Sequence, residues 1–483
     1  MKRGISLLLP IIVAVILLLI PTPEGLAPHA WRFFAIFVGA IVGLILEPLP
    51  GAVIGIASVV IISLFSPWVL FSPEQVASPK FQMASQSFKW AVAGFSNSTV
   101  WLIFGAFMFA AGYEKTQFGR RLALILVKYL GRRTLTLGYA ITFADLLLAP
   151  FTPSNTARSG GTIYPIISNL PPLYGSKPND PSARKIGSYL MWVAITATCV
   201  TSSMFLSALA PNLLALALVK SSIGMNISWT NWFIAFLPLG VLLILTVPLL
   251  AYWLYPPEVK VNDEVPRWAQ NELEKLGKLS RNEILLLAFV CLALVLWIFA
   301  TAWIEPAMAA LLVITLMLFT GVLEWKDITG NKAAWNTFVW FATLVALAAG
   351  LTDVGFIAWL GKLGASLLGG ISPSVATIAL LIAFYAMHYL FASTTAHTTA
   401  LLPAMLAIGS AIPGMNMTVF CMMLLTSLGV MGIITPYGTG PSPIYYGSGY
   451  LPAKDYWRLG GIFGTLFLVL LIVIGYPWML MMF

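Results

Sequence analysis

Two short clusters of hydroxyl and amide residues, set in otherwise apolar sequence, carry the chemistry of this chain. The first reads Ser154-Asn155-Thr156-Ala157-Arg158 and the second Ser393-Thr394-Thr395-Ala396-His397. Ser, Thr and Asn accept bonds from the first free N–H groups of a starting helix, and such a start carries a partial positive charge. Two helix starts aimed at one polar chamber suit an anion with two negative ends, a dicarboxylate. Arg158 and His397 each stand four places after the serine of their cluster. Arginine's planar fork matches a carboxylate at two points, and an ionisable residue at membrane depth is a functional candidate by default. The plainer alternatives are that the hydroxyls only cap or pack helices, and that Arg158 pairs with Asp145 to hold its own segment together. His388 falls outside the register of the clusters and reads as structural. Other chemistry is excluded. Cys199, Cys291 and Cys421 are far apart in apolar stretches with no metal-ligand spacing, so no metal and no cofactor are expected. HExxH and GxSxG are absent and no acid is placed to orient His397 against a serine, which argues against an enzyme.

The elements around these clusters are membrane helices. Only 9% of the 483 residues are charged and 59% are hydrophobic, against about 25% charged in soluble domains. Apolar runs near the roughly 20 residues that cross a bilayer recur from about 5–21 to 460–482. The first is followed by Pro21-Thr22-Pro23-Glu24 and no small-residue cleavage site, so it reads as a retained helix. The net charge of +9 lies in connecting loops: Lys115 to Arg133, Lys177 to Lys185 and Lys260 to Arg281. That pattern marks the cytoplasmic side and not a nucleic-acid surface. One threading places most basic residues inside if two segment pairs, 134–170 and 374–410, are re-entrant hairpins on opposite sides. The reading is an all-α polytopic protein with about eleven spans, an inside N-terminus and an outside C-terminus. Residues 1–96 form scaffold helices, 97–255 a first repeat, 256–283 a cytoplasmic connector and 284–483 a second repeat.

The hairpins match one another. Ala110-Ala111-Gly112 precedes the first and Ala348-Ala349-Gly350 the second, with Phe118 and Phe356 at the same offset beyond the glycine. Pro165 follows Ser154 by eleven positions and Pro403 follows Ser393 by ten. Opposed hairpins with shared spacing are inverted-topology repeats, a sign of secondary transporters whose site lies at the repeat interface. An open channel fits two capped tips less well than alternating access does.

The two clusters resemble the paired Ser-Asn-Thr motifs of the divalent anion:sodium symporter family, over essentially the whole chain. Gly119-Arg120-Arg121, Leu148-Ala149-Pro150-Phe151-Thr152-Pro153, Asn179-Asp180-Pro181-Ser182 and Asp455-Tyr456-Trp457-Arg458-Leu459-Gly460 make it most similar to the bacterial citrate/succinate and tartrate/succinate antiporters. The resemblance implies a homodimer in a bacterial inner membrane, lipid around it, and an elevator-like motion of a transport domain against a scaffold. It implies di- or tricarboxylate cargo: succinate, tartrate, citrate, malate or 2-oxoglutarate. Two unwound segments should complete the site, at Ala210-Pro211-Asn212 and at Thr435-Pro436-Tyr437-Gly438-Thr439, where proline frees carbonyls to line a cavity. The expected binding set is therefore Ser154, Asn155, Thr156, Arg158, Asn212, Ser393, Thr394, Thr395, His397, Thr435 and Pro436. Thr394 stands where the family usually has asparagine, which puts a sodium site there in doubt. A fixed guanidinium, with the imidazole of His397, would take the place of dissolved cations. The empty carrier would then cross with an uncompensated positive site, so loaded exchange would dominate. The alternative is sodium-coupled uptake.

Overall fold

The computed structural model describes residues 3–46, 48–367 and 370–483. Nineteen α-helices of eight or more residues carry the architecture of the described residues, and no strand ladder forms among them beyond one isolated bridge, Arg133 with Val261. They are α1 (Arg3–Leu19), α2 (Pro28–Leu46), α3 (Gly51–Leu64), α4 (Met83–Val92), α5 (Ser98–Thr116), α6 (Phe118–Leu130), α7 (Thr134–Leu148), α8 (Gly187–Met204), α9 (Ala210–Ile223), α10 (Trp229–Leu254), α11 (Glu264–Leu276), α12 (Arg281–Phe299), α13 (Pro306–Thr320), α14 (Lys332–Asp353), α15 (Phe356–Leu367), α16 (Pro373–Met387), α17 (Thr394–Ser410), α18 (Met417–Val430) and α19 (Ala453–Leu470). In lipid every backbone group must find an internal partner, and helices meet that demand within one segment.

Among the described residues, seven helical stretches are long and apolar enough to cross a membrane, or eight if the pair bent by 40° at residue 97 counts as one span. Shorter apolar helices such as Gly51–Leu64, Ala210–Ile223 and Pro306–Thr320 accompany them, and two long apolar runs are broken. Residues 187–220 split into α8 and α9, with Phe205 to Leu209 between them. Residues 417–447 split after α18, and a non-helical stretch runs through 434–441. The second break lies at the expected position. The first lies before Ala210-Pro211-Asn212, not on it. Pro211 occupies the first turn of α9, where its missing N–H costs nothing.

The hairpins are helix–break–helix units. In the first, α7 and a short 3-10 turn lead through Thr152 to Asn155 into a π-helix, Thr156–Ile163. In the second, α16 leads through Phe391 to Ser393 into the regular helix α17. The π-helix accounts for the uneven proline spacing. Its wider i→i+5 turn absorbs one extra residue, so Pro165 falls eleven places after Ser154 while Pro403 falls ten after Ser393.

The loops assigned to one side of the membrane meet at one end of the bundle. Lys115 bonds Asp327 at 2.6 Å and Glu324 at 3.1 Å, and Arg120 bonds Glu272 at 2.7 Å. Arg121 bonds Glu283 at 2.6 Å, Arg184 donates to the Pro256 carbonyl at 2.9 Å, and the Tyr255 hydroxyl donates to Asp455 at 2.7 Å. The connector helix α11 thereby docks on α6. The Lys275 ammonium, with Arg120 adding to it, holds the Glu272 carboxyl below its ordinary value of 4.5. Lys326 and then Lys115 do the same for Glu324. A depressed carboxylate stabilises the fold above its unfolded value and loses that contribution as pH falls through the folded value. Amide hydrogen exchange over 256–283, corrected for intrinsic rates, is therefore expected to be slow at pH 7. It should rise only modestly below about pH 4, because exposed pairs contribute little.

Candidate substrate site

The two clusters take up matched geometries. The Ser154 hydroxyl accepts from the Ala157 amide at 3.2 Å, and the Ser393 hydroxyl from the Ala396 amide at 3.5 Å. The amides of Arg158 and His397 close the first turns onto the Ser154 and Ser393 carbonyls at 2.9 and 3.0 Å. In each cluster the second and fifth residues are buried while the first and third remain open. One helix-start geometry thus generates both tips.

Both tips close on the same broken segment. The Asn155 amide donates to the Thr439 hydroxyl at 2.7 Å, and the Thr394 hydroxyl donates to the Gly438 carbonyl at 3.1 Å. That carbonyl also meets His388 Nε2 at 2.8 Å, so His388 helps tie the second tip down. Thr156 presses on Gly440, where an added Cβ would lie 1.8 Å from the threonine hydroxyl. Residues 438–440 are therefore gripped from two sides.

Beyond this grip the tips look into separate spaces. Ser154 and Thr156 line a cavity of about 530 Å³ with Thr152, Glu114 and Asn331. A second cavity of about 500 Å³ shares its walls at Tyr113, Glu114, Gly161 and Thr162 and reaches Arg120 and Trp268. The first tip is thus open toward the end that holds the basic loops. Ser393 and Thr395 line a smaller cavity of about 150 Å³ against Asn336 and Trp340 of α14. Helix α14 passes both tips, with Asn331 beside the first and Asn336 beside the second.

Arg158 does not face these cavities. It is 1% exposed and its guanidinium is ringed by oxygens. It donates to Asp145 at 3.1 Å, to the carbonyls of Thr152 at 2.9 Å and Ala208 at 2.8 Å, and to the hydroxyls of Thr198, Thr201 and Ser202 at 3.2, 3.3 and 3.1 Å. The Thr201 hydroxyl donates to the same carboxylate oxygen of Asp145. The guanidinium caps carbonyls freed at the first hairpin tip and at the 205–209 break. The expectation of an uncompensated positive charge is corrected here, because Asp145 balances Arg158.

The remaining expected residues fall into two groups. Asn212 bridges the broken ends of α8 and α9, donating to the Ser202 carbonyl at 2.7 Å and the Phe205 carbonyl at 3.2 Å. His397 is fully buried in a slot formed by Phe384, His388 and Phe391, and neither ring nitrogen has a partner among the described residues. Thr435 is buried with an unpartnered hydroxyl, and Pro436 opens the turn after it. Thr198, Thr201, Ser202 and Asn331 join the site without having stood out in the sequence, and Thr439 belongs to the expected unwound segment. The hydroxyl run from Thr196 to Ser203 inside an apolar span is the signal that marks the first three.

Broken helices at membrane depth, with two tips closing on one segment, define a polytopic membrane transporter. The chain belongs to the divalent anion:sodium symporter family: the family model described as the sodium:sulfate symporter transmembrane region matches residues 1–483. It is 56% identical to the L-tartrate/succinate antiporters of Shigella sonnei (strain Ss046) and Escherichia coli (strain K12), over 98% of this chain and 97% of each relative. Among solved structures, the Alcanivorax borkumensis YdaH transporter shares the fold with a TM-score of 0.58 at 13% identity, covering 90% of this chain and 99% of that one. Neisseria gonorrhoeae MtrF does so with a TM-score of 0.53 at 15% identity, covering 88% and 94%.

Proposed function

We propose that this chain exchanges small dicarboxylates across a bacterial inner membrane, with tartrate and succinate as the best-supported pair. Malate and 2-oxoglutarate are dicarboxylates of the same class, and the tricarboxylate citrate extends it. The observation that carries the reading is the convergence of both tips on residues 438–440, next to the relatives' shared name. Ser154, Thr156, Ser393 and Thr395 offer hydroxyls, and the two helix starts offer free N–H groups, to the two ends of a dicarboxylate. Asn155, Thr394, Thr435 and Pro436 shape the segment between them.

Arg158 supplies the reason that exchange is favoured over sodium-coupled uptake. Its oxygen pocket, built from two carbonyls, three hydroxyls and a carboxylate, is the surrounding a dissolved cation would require. A tethered guanidinium fills it permanently, and His397 takes the matching position in the other hairpin. With no cation to load or release, the anion alone satisfies the tip donors. An unsatisfied polar group in the bilayer costs several kcal/mol. At about 1.4 kcal/mol per decade, that slows return of the empty carrier by roughly a hundredfold. The remaining features of the reading are an elevator motion of the hairpins against α1–α3 and α14, inverted repeats, a homodimer, and a cytoplasmic N-terminus.

Purified protein in proteoliposomes tests this with labelled succinate, vesicles preloaded with tartrate or left unloaded, and sodium or potassium outside. Uptake is expected only into preloaded vesicles and equally in both salts. Sodium-driven uptake into unloaded vesicles would overturn the proposal.

A further inference from the structure

At the end of the bundle opposite the basic loops lies a cavity of about 380 Å³ that the hairpin tips do not touch. Helices α5, α10 and α13 all run toward the basic end. Lys115 near the end of α5 bonds Glu324 and Asp327, Tyr255 just after α10 bonds Asp455, and α13 leads into Glu324. Their first turns therefore share the opposite end, and all three line this cavity through Ser98, Trp229 and Pro306. These helices have 19, 26 and 15 residues, and each start brings partial positive charge. Lys220, in the last turn of α9, lines the same space and makes no ion pair among the described residues. Glu305, just before α13, is the only acidic group in the lining among the described residues.

One further observation points to a ligand. Thr99 is 7% exposed and lines the cavity, yet its hydroxyl has no hydrogen-bond partner among the described residues, although the Thr99 amide is capped by Asn97 at 2.9 Å. Ser207 forms part of the floor, where its hydroxyl accepts from the Trp229 indole at 3.1 Å and donates to the Pro150 carbonyl, so it packs the floor and leaves ligand binding to Thr99. The next residue, Ala208, gives its carbonyl to Arg158 at 2.8 Å. The floor is thus one residue from the oxygen pocket that Arg158 fills behind the first hairpin tip.

We infer that this cavity is a second anion site, an antechamber that holds a small dicarboxylate on the face away from the basic loops. Lys220 and the three helix starts supply the attracting field, and Thr99 supplies the hydroxyl that binds one carboxylate. Glu305 opposes the field and lets the anion leave again. The inference rests on the dicarboxylate exchange proposed above and assigns that activity a docking step on one face only.

The test is exchange of labelled succinate in vesicles of defined orientation, with KM measured separately for each face. Lys220→Gln and Thr99→Val are expected to raise KM at the cavity's face by about three- to tenfold, with KM at the basic face as the internal reference. Glu305→Gln should lower it, Lys220→Arg should preserve it, and added salt should flatten all the charge effects. Equal changes at both faces, or no change at either, overturn the antechamber. Lys220→Gln and Glu305→Gln moving KM in the same direction would also overturn it, since that marks a Lys220–Glu305 contact instead of an anion site. Wild-type protein that exchanges no dicarboxylate at all would sink the underlying function as well, so the two failures are distinguishable.

Discussion

Arg158→Met is expected to leave no stable carrier, whereas Arg158→Met combined with Asp145→Asn is expected to fold and fail to exchange. The single substitution strands a carboxylate that is 1% exposed, and removing one partner of a buried pair costs about 3–5 kcal/mol. Set against a typical total of about 5–15 kcal/mol, that loss is large. Replacing both partners removes the stranded charge, and such double replacements are often neutral. Most of the thermal stability should therefore return. Function should not. The carbonyls of Thr152 and Ala208 and the hydroxyls on α8 lose the group that binds the first hairpin tip to the 205–209 break. Thermal unfolding of the purified variants, read alongside proteoliposome exchange, separates the two roles. A double variant that exchanges at the wild-type rate would reduce Arg158 to a structural ion pair.

Gly440→Ala is expected to lower exchange by about a hundredfold or more while costing only about 1–3 kcal/mol of stability, the usual range for overpacking. Its new Cβ would lie 1.8 Å from the Thr156 hydroxyl and 3.2 Å from the Thr156 Cβ, so either the tip or the 434–441 segment must move. The position is exposed, which keeps the damage local. Thr156→Ala added to Gly440→Ala removes the clashing oxygen and should restore the melting temperature, though not exchange, because the hydroxyl at the tip is gone. Gly447→Ala and Gly461→Ala meet nothing within 4 Å and serve as controls. Wild-type exchange by Gly440→Ala would show that the grip on this segment is not part of the transport cycle.

Much of the fold and part of the site are legible in the residues themselves. Both hairpins are marked locally: by a serine that caps the following turn, a proline some ten residues on, and basic loops flanking the first of them. Ser154 and Ser393 do cap those turns. The second break is legible through Pro436 and its glycines. The first is displaced from its expected position, since Phe205 to Leu209 contains neither proline nor glycine. Tertiary bonds from Arg158 and Asn212 hold that backbone open where its own residues carry no such mark. The pairing of Arg158 with Asp145 is a visible possibility in the sequence because the two are thirteen residues apart in one hairpin.

Composition and the positions of its charges and caps are enough, by themselves, to make this chain a helical membrane protein with two serine-capped helix breaks. Such features depend on burial, on chain direction and on the first turn of each helix, all of which are short-range. The tertiary structure alone decided where the side chains point. It turned Arg158 away from the tip cavities into a ring of oxygens from three segments, tied Asn155 and Thr394 to adjacent residues of one break, and left His397 among aromatic rings. Those outcomes depend on contacts between residues as far apart as Asn155 and Thr439, and no local spacing encodes a distance in space.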